Sequence, residues 1–174
     1  VGAMAVGAIP AGIYQTCSSE EIAYILNHSE APIILVENKS QWAKVNAVRS
    51  ELPHLKTIVL MNGCEPVDDE SAIDWSDFLK TGDATEPKAV DDAVKNLGPD
   101  APATFIYTSG TTGPPKAVML THDNLAWTAD AAIKIVGHTD TDTSLSYLPL
   151  SHIAEQMFTL HAPITSGGRV YFAE

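Results

Sequence analysis

The chain has 174 residues, of which 45% are hydrophobic, 18% charged and 7% aromatic; this is the composition of a globular domain, not of a disordered, collagen-like or disulfide-scaffold sequence. Ten Lys and Arg stand against 22 Asp and Glu, a formal charge of −12. That balance argues against a general nucleic-acid footprint, which needs clustered cations to displace counterions, and any anionic substrate would need a local concentration of donors.

The most apolar stretch, residues 1–14, is shorter than a bilayer span, contains Pro10 and lacks the cationic flank of a signal peptide. No membrane helix is expected. Cys17 and Cys64 form no C-x-x-C pair, so neither a zinc site nor a redox motif follows and a reduced compartment is expected. The sequence begins at Val1 in packing-type residues and stops at Glu174 just after a strand pattern is established. Either end could be a cut, and missing targeting signals carry little weight.

Along the chain, Ser18 and Glu21 followed by Ile22, Ile25 and Leu26 predict a capped helix over residues 18–28 with one apolar face. The run 32–36 lacks alternation, as a strand buried on both faces would. Ser40 is expected to cap a second helix with apolar Trp42, Val45, Val48 and Leu52, before a β-branched strand over 55–60. Residues 61–100 read as a surface excursion holding the acidic run 65–70, taken as a solvated loop because no ligand spacing is present, and an amphipathic segment around Trp75, Phe78 and Leu79. Strands follow at 103–107 and 117–120. Thr121 is expected to cap a helix with Leu125, Ala129, Ala132, Ile133 and Val136 on one face. A strand over 144–150, a helix marked by Ile153, Met157 and Leu160, the turn at Gly167 and Gly168 and a strand over 169–173 give a second strand–helix–strand unit. The alternation predicts an α/β fold with mostly parallel sheets flanked by helices.

The informative loop is Tyr107-Thr108-Ser109-Gly110-Thr111-Thr112-Gly113-Pro114-Pro115-Lys116. Its glycines let the backbone curl so that N–H groups point inward, its hydroxyls donate to phosphate oxygens, and Lys116 supplies a point charge. It is not a Walker A loop: Pro115 stands five positions after Gly110, where the second glycine would be, and Ala117 follows Lys116. On Gly and Thr content alone the loop is a hydroxyl-rich turn between strands.

The ordered string YTSGTTGPPKAVMLTHDNL resembles the phosphate-loop signature of the adenylate-forming superfamily, which holds acyl-CoA synthetases, aryl-CoA ligases, luciferases and peptide-synthetase adenylation domains. Residues 5–14 (AVGAIPAGIY) and Glu21, Tyr24, Ile25 and Leu26 are similar to the segment upstream of that loop in the family. Trp127-Thr128-Ala129, the string SYLPLSHIAEQ over 146–156 and Tyr171-Phe172-Ala173-Glu174 resemble long-chain fatty acyl-CoA synthetases, above all the bubblegum type.

The resemblance implies that Thr108, Ser109, Gly110, Thr111, Thr112, Gly113 and Lys116 cover the β- and γ-phosphates of ATP, with Thr111 or Thr112 helping to ligate Mg2+, and that Lys116 and His152 serve the reaction. His152 would line the fatty-acid entrance or pack on the adenylate; read from the residues alone, it is a helix-start histidine satisfied by neighbouring backbone. His122 and His161 are expected to be structural or surface residues. Two departures stand out. Ala117 takes the place of the family's glycine after Pro-Lys, so a φ < 0 extended conformation is expected there. Lys80-Thr81-Gly82-Asp83 looks like the family's ribose-binding element but precedes the phosphate loop, so Asp83 is expected to be a turn residue.

The implied reaction is attack of a fatty carboxylate on the α-phosphate of ATP, then displacement of AMP by the thiol of coenzyme A. The implied partners are fatty acid, ATP and CoA, with no nucleic acid. The implied location is cytoplasmic, with any peripheral membrane contact made by parts outside these residues. Residues 1–174 are expected to be part of the large N-terminal domain, without the adenine and ribose elements or the C-terminal domain. Alone they are expected to have no appreciable ligase activity and weak ATP affinity, with apolar faces that favour marginal stability or association. An aryl- or amino-acid-adenylating ligase and a non-catalytic nucleotide-binding module are the other readings.

Overall fold

The computed structural model describes residues 1–108 and 113–173. In chain order the elements are α1 (Gly2–Ala5), β1 (Ala11–Gly12), α2 (Ser19–His28), β2 (Ile33–Val36), α3 (Lys39–Ala47), β3 (Thr57–Leu60), β4 (Ala72–Asp74), α4 (Trp75–Lys80) and α5 (Pro87–Asn96). They continue with β5 (Pro102–Thr108), β6 (Lys116–Thr121), α6 (His122–Val136), β7 (Thr143–Ser146), α7 (Ile153–Gln156), a π-helical turn Met157–His161, α8 (Ala162–Ser166) and β8 (Arg169–Phe172). Two compact units result, one of Gln15–Pro87 and one of Val1–Tyr14 with Lys88–Glu174.

In the unit of Gln15–Pro87, the capping box is formed as the sequence predicts: Glu21 N–H donates to Ser18 Oγ and Ser18 N–H to the Glu21 carboxylate. Ile22, Ala23, Ile25 and Leu26 of α2 are buried. The cap of α3 is Asn38, not Ser40, because its side-chain oxygen accepts from Gln41 N–H at 3.1 Å. Strands β2, β3 and β4 form a parallel sheet in that order. The expectation that 32–36 is buried on both faces fails, since Ile33 is 42% and Leu35 47% exposed. The edge place explains it: β3 holds the centre, and there Ile58, Val59 and Leu60 are buried. The stretch 61–100 is likewise more than an excursion, for it supplies β4 and two helices. Within its acidic run, Asp69 accepts from Trp42 Nε1 at 3.1 Å and from Ser71 Oγ at 2.7 Å.

In the other unit, β1 pairs parallel with β5, β5 pairs antiparallel with β6, and β7 pairs parallel with β8. Met4, Ala103, Leu125, Ala129 and Met157 make its core, with Leu120 and Ile153 packed on them. Helix α6 is anchored over this core by the Thr121–Asn124 capping box and ends at Gly137 in the left-handed conformation, φ 73°. Its predicted face is buried at Leu125 and Ala129 only, while Val136 stands exposed. Gly167, φ 80°, then closes α8 and turns the chain into β8. Every described strand pair except β5–β6 is parallel, so the mostly parallel α/β expectation holds with one hairpin added.

Candidate functional site

The site begins with that hairpin. Strand β5, central in the order β1-β5-β6, carries buried Ala103, Thr104, Ile106 and Tyr107, so both of its faces are covered. Thr104 Oγ1 donates to Pro10 O at 2.8 Å and Phe105 N–H donates to the same carbonyl at 3.1 Å, tying the approach to β1 onto β5. At the far end Thr108 pairs with Lys116 across the hairpin, and Thr108 Oγ1 reaches Lys116 O at 3.5 Å. The structure thus brings together two of the predicted loop residues at the mouth of the loop. Ser109, Gly110, Thr111 and Thr112 lie outside the described residues.

Gly113 has φ 103°, a backbone conformation that a side chain resists. Pro114 and Pro115 then remove two N–H donors before β6 begins, and fix φ on the way into the strand. Lys116 is exposed and, among the described residues, makes no ion pair. Ala117 pairs with Tyr107 inside the hairpin, and Glu30 is the non-glycine residue with positive φ among those described, so Ala117 is extended with φ < 0 as expected. Asp83 lies in the turn after α4, its N–H donating to Lys80 O at 3.1 Å.

The second piece is the segment from β7 to α7. His152 is the N-cap of α7, and its Nδ1 accepts from Ala154 N–H at 3.2 Å. That bond fixes the tautomer in the neutral ring, leaving Nε2 as the N–H donor of an exposed side chain. The helix-start reading is therefore satisfied, and one nitrogen remains available to a substrate. Backbone contact links this piece to the hairpin sheet. A Cβ on Gly12 would stand 2.7 Å from Ser151 Cα, and Gly12 pairs with Ile106, two residues before Thr108. Ser151, which precedes His152, is thereby held beside the β1–β5 pair, about 7 Å of strand from the position of Thr108.

Sequence reading missed what lies beneath this segment. Glu155, 5% exposed, accepts from Ser146 Oγ at 2.6 Å and from Thr159 Oγ1 at 2.8 Å. Hydrogen bonds from the Ser146 hydroxyl, above all, and from Thr159 and the Tyr147 and Leu148 backbone hold its carboxyl below the usual range, against the upward pull of burial. Gln156 Nε2 donates to Leu150 O at 2.7 Å. The available signal was an acidic residue at the third position of a short helix after a polar start. Separately, His122 and His161 line a cavity of about 240 Å³ with Met4, Leu125, Ala129 and Ile164, and the Nε2 atom of each is buried with no hydrogen-bond partner among the described residues. Both are half-buried. Among the described residues no cluster of three or more His, Cys, Asp or Glu is placed to hold a metal, and no helix is long and apolar enough to cross a membrane.

Comparison with known proteins places this arrangement. The family described as AMP-binding enzyme matches residues 1–174. The chain is 42% identical to the long-chain-fatty-acid–CoA ligase ACSBG2 of Xenopus laevis over 178 residues, covering 100% of this chain and 24% of the relative. It is 39% identical to ACSBG2 of Homo sapiens, again over 100% of this chain and 26% of the relative. The chain thus spans about a quarter of the length of the curated relatives it matches. Among solved structures, the anthranilate CoA ligase AuaEII in complex with anthranoyl-AMP superimposes with a TM-score of 0.76 at 22% identity, over 97% of this chain and 31% of that one. The long-chain-fatty-acid-CoA ligase FadD1 of Archaeoglobus fulgidus does so at 0.69 and 25%, over 95% and 30%. The first of these likenesses speaks for the fold alone. From its first residue to its last, this chain belongs to the AMP-binding enzyme family.

Proposed function

We propose that residues 1–174 form part of the large N-terminal domain of a ligase that activates a long-chain fatty acid with ATP and passes the acyl group to coenzyme A. The observation that carries this reading is the match of the whole chain to long-chain-fatty-acid–CoA ligases, with Thr108 and Lys116 paired at the mouth of the loop. Thr108, Ser109, Gly110, Thr111, Thr112, Gly113 and Lys116 would hold the β- and γ-phosphates. Lys116 fits that role as an exposed cation at a fixed strand end in a chain of charge −12. Thr111 or Thr112 would ligate magnesium, which when bound would neutralise phosphate charge.

The reaction needs no protein nucleophile. The fatty carboxylate attacks the α-phosphate, pyrophosphate leaves, and the thiol of coenzyme A then displaces AMP to give the thioester. The chain's residues supply position and charge stabilisation. The Nε2 N–H of His152, on the segment held beside β1, would face the acyl-adenylate. The deciding experiment is pyrophosphate exchange into ATP by the complete protein, with long-chain fatty, aryl and amino acids as substrates. Exchange that depends on long-chain acids supports the reading. Exchange with aryl or amino acids alone, or none at all, overturns it.

A further inference from the structure

Glu155 is a buried carboxylate with no cation beside it among the described residues. Removing such a charge from water is costly unless hydrogen bonds replace its hydration. Here two hydroxyls, from Ser146 and Thr159, both donate to Oε1, at 2.6 and 2.8 Å. The donors come from two places, the last residue of β7 and the π-helical turn. One side chain therefore fixes where the chain leaves the sheet and where the helix after it must lie.

The segment so held carries apolar side chains. Tyr147, 72% exposed, Leu148 and Leu150 present apolar surface, yet the backbone beneath them is pinned three times. Glu155 holds Ser146 at its start, Gln156 holds Leu150 O, and Gly12 lies against Ser151. A loop with exposed apolar side chains on a fixed backbone is preorganised for an apolar ligand, since little ordering entropy remains to be lost on binding. Its last residue leads directly into His152. A glutamine at 155 can still accept both hydroxyls on its one carbonyl oxygen, but without the charge that strengthens those bonds. An aspartate on the same backbone is one methylene too short.

We propose that Glu155 is a positioning residue for the acyl group: by tying Ser146 and Thr159 to one carboxylate, it sets the pose of Tyr147, Leu148, Leu150 and His152 against the fatty chain. This rests on the long-chain fatty acid reading above. The test is steady-state kinetics of the complete protein carrying Glu155→Gln, with Thr159→Val as a milder variant that removes one donor and keeps the side chain's shape. Val45→Ala, a buried change in the other unit, serves as a control for general destabilisation. The expected result is a rise of about tenfold in KM for palmitate in Glu155→Gln, the worth of one charge-assisted hydrogen bond. Thr159→Val should give a smaller rise of the same sign, and KM for ATP should stay within about twofold in both. If Glu155→Gln does not fold, the Thr159→Val comparison decides alone. An unchanged KM for palmitate, or KM values for palmitate and ATP that rise together, overturns the proposal. So does an equal palmitate shift in Val45→Ala. A wild-type protein without acid-dependent exchange overturns the functional reading, and this inference with it; an active wild type with an unmoved palmitate KM overturns the inference alone.

Discussion

Gly12 and Ser151 approach so closely that a Cβ on Gly12 would stand 2.7 Å from Ser151 Cα and 3.1 Å from its Cβ. The contact is backbone on backbone, with no flexible side chain to give way. It joins the strand that pairs with β5 to the residue that precedes His152.

Gly12→Ala should therefore destabilise the protein by about 1–3 kcal/mol, the usual cost of overpacking a fitted site, and shift the 147–152 segment. Thermal unfolding checks the first effect and the palmitate KM the second. A variant as stable as the parent would show that the two strands of chain part easily.

Lys116→Ala should lower the adenylation rate by about 100-fold, the scale on which single charge-stabilising donors act. Lys116 is exposed at the start of β6, so the unfolding midpoint should barely move. Palmitate-dependent pyrophosphate exchange in the complete protein measures it, and an unchanged rate removes Lys116 from the mechanism.

Ala117→Gly restores the residue that the resemblance leads one to expect, yet it should cost about 0.5–1 kcal/mol, because glycine in an extended strand gives up backbone entropy for no relief of strain. Ala117 is paired with Tyr107 and has no positive φ. Urea unfolding decides; a gain in stability would show that position 117 prefers the left-handed region.

Acid should destabilise the chain in two stages of the same sign. Burial lowers the pKa of His161 from 6.5. Below 6.5 the unfolded chain takes up a proton that the folded one refuses, so stability falls until the lowered folded pKa is passed. The carboxyl of Glu155 is also lowered, from 4.5. Its contribution is complete above 4.5 and is lost as the pH falls through its folded pKa. The urea midpoint should thus decline from about pH 7 to pH 5, and His161→Gln should flatten the upper part of that decline. A flat profile in the parent contradicts this account.

Where local chemistry decides structure, the sequence was easy to read. Ser18 with Glu21 and Thr121 with Asn124 close their boxes with donors three residues away, and Gly167 turns the chain where a left-handed residue is needed. Ser40 was misjudged because Asn38 offers the same kind of oxygen two residues earlier. The strand β4 was missed because three residues inside an acidic stretch carry no periodic signal, and only pairing with β3 makes them a strand.

By itself the sequence determined the phosphate-loop string, the alternation of strands and helices and the family, since all three are written in residue order. The tertiary structure alone decided which strands lie at an edge, leaving Ile33 and Leu35 exposed while β3 is buried. It also decided that Gly12 meets Ser151 across 139 positions of sequence and that Glu155 gathers Ser146 and Thr159. Burial and hydrogen-bond partnership are properties of neighbours in space, and a lone glycine or glutamate carries no local mark of the neighbour it will meet.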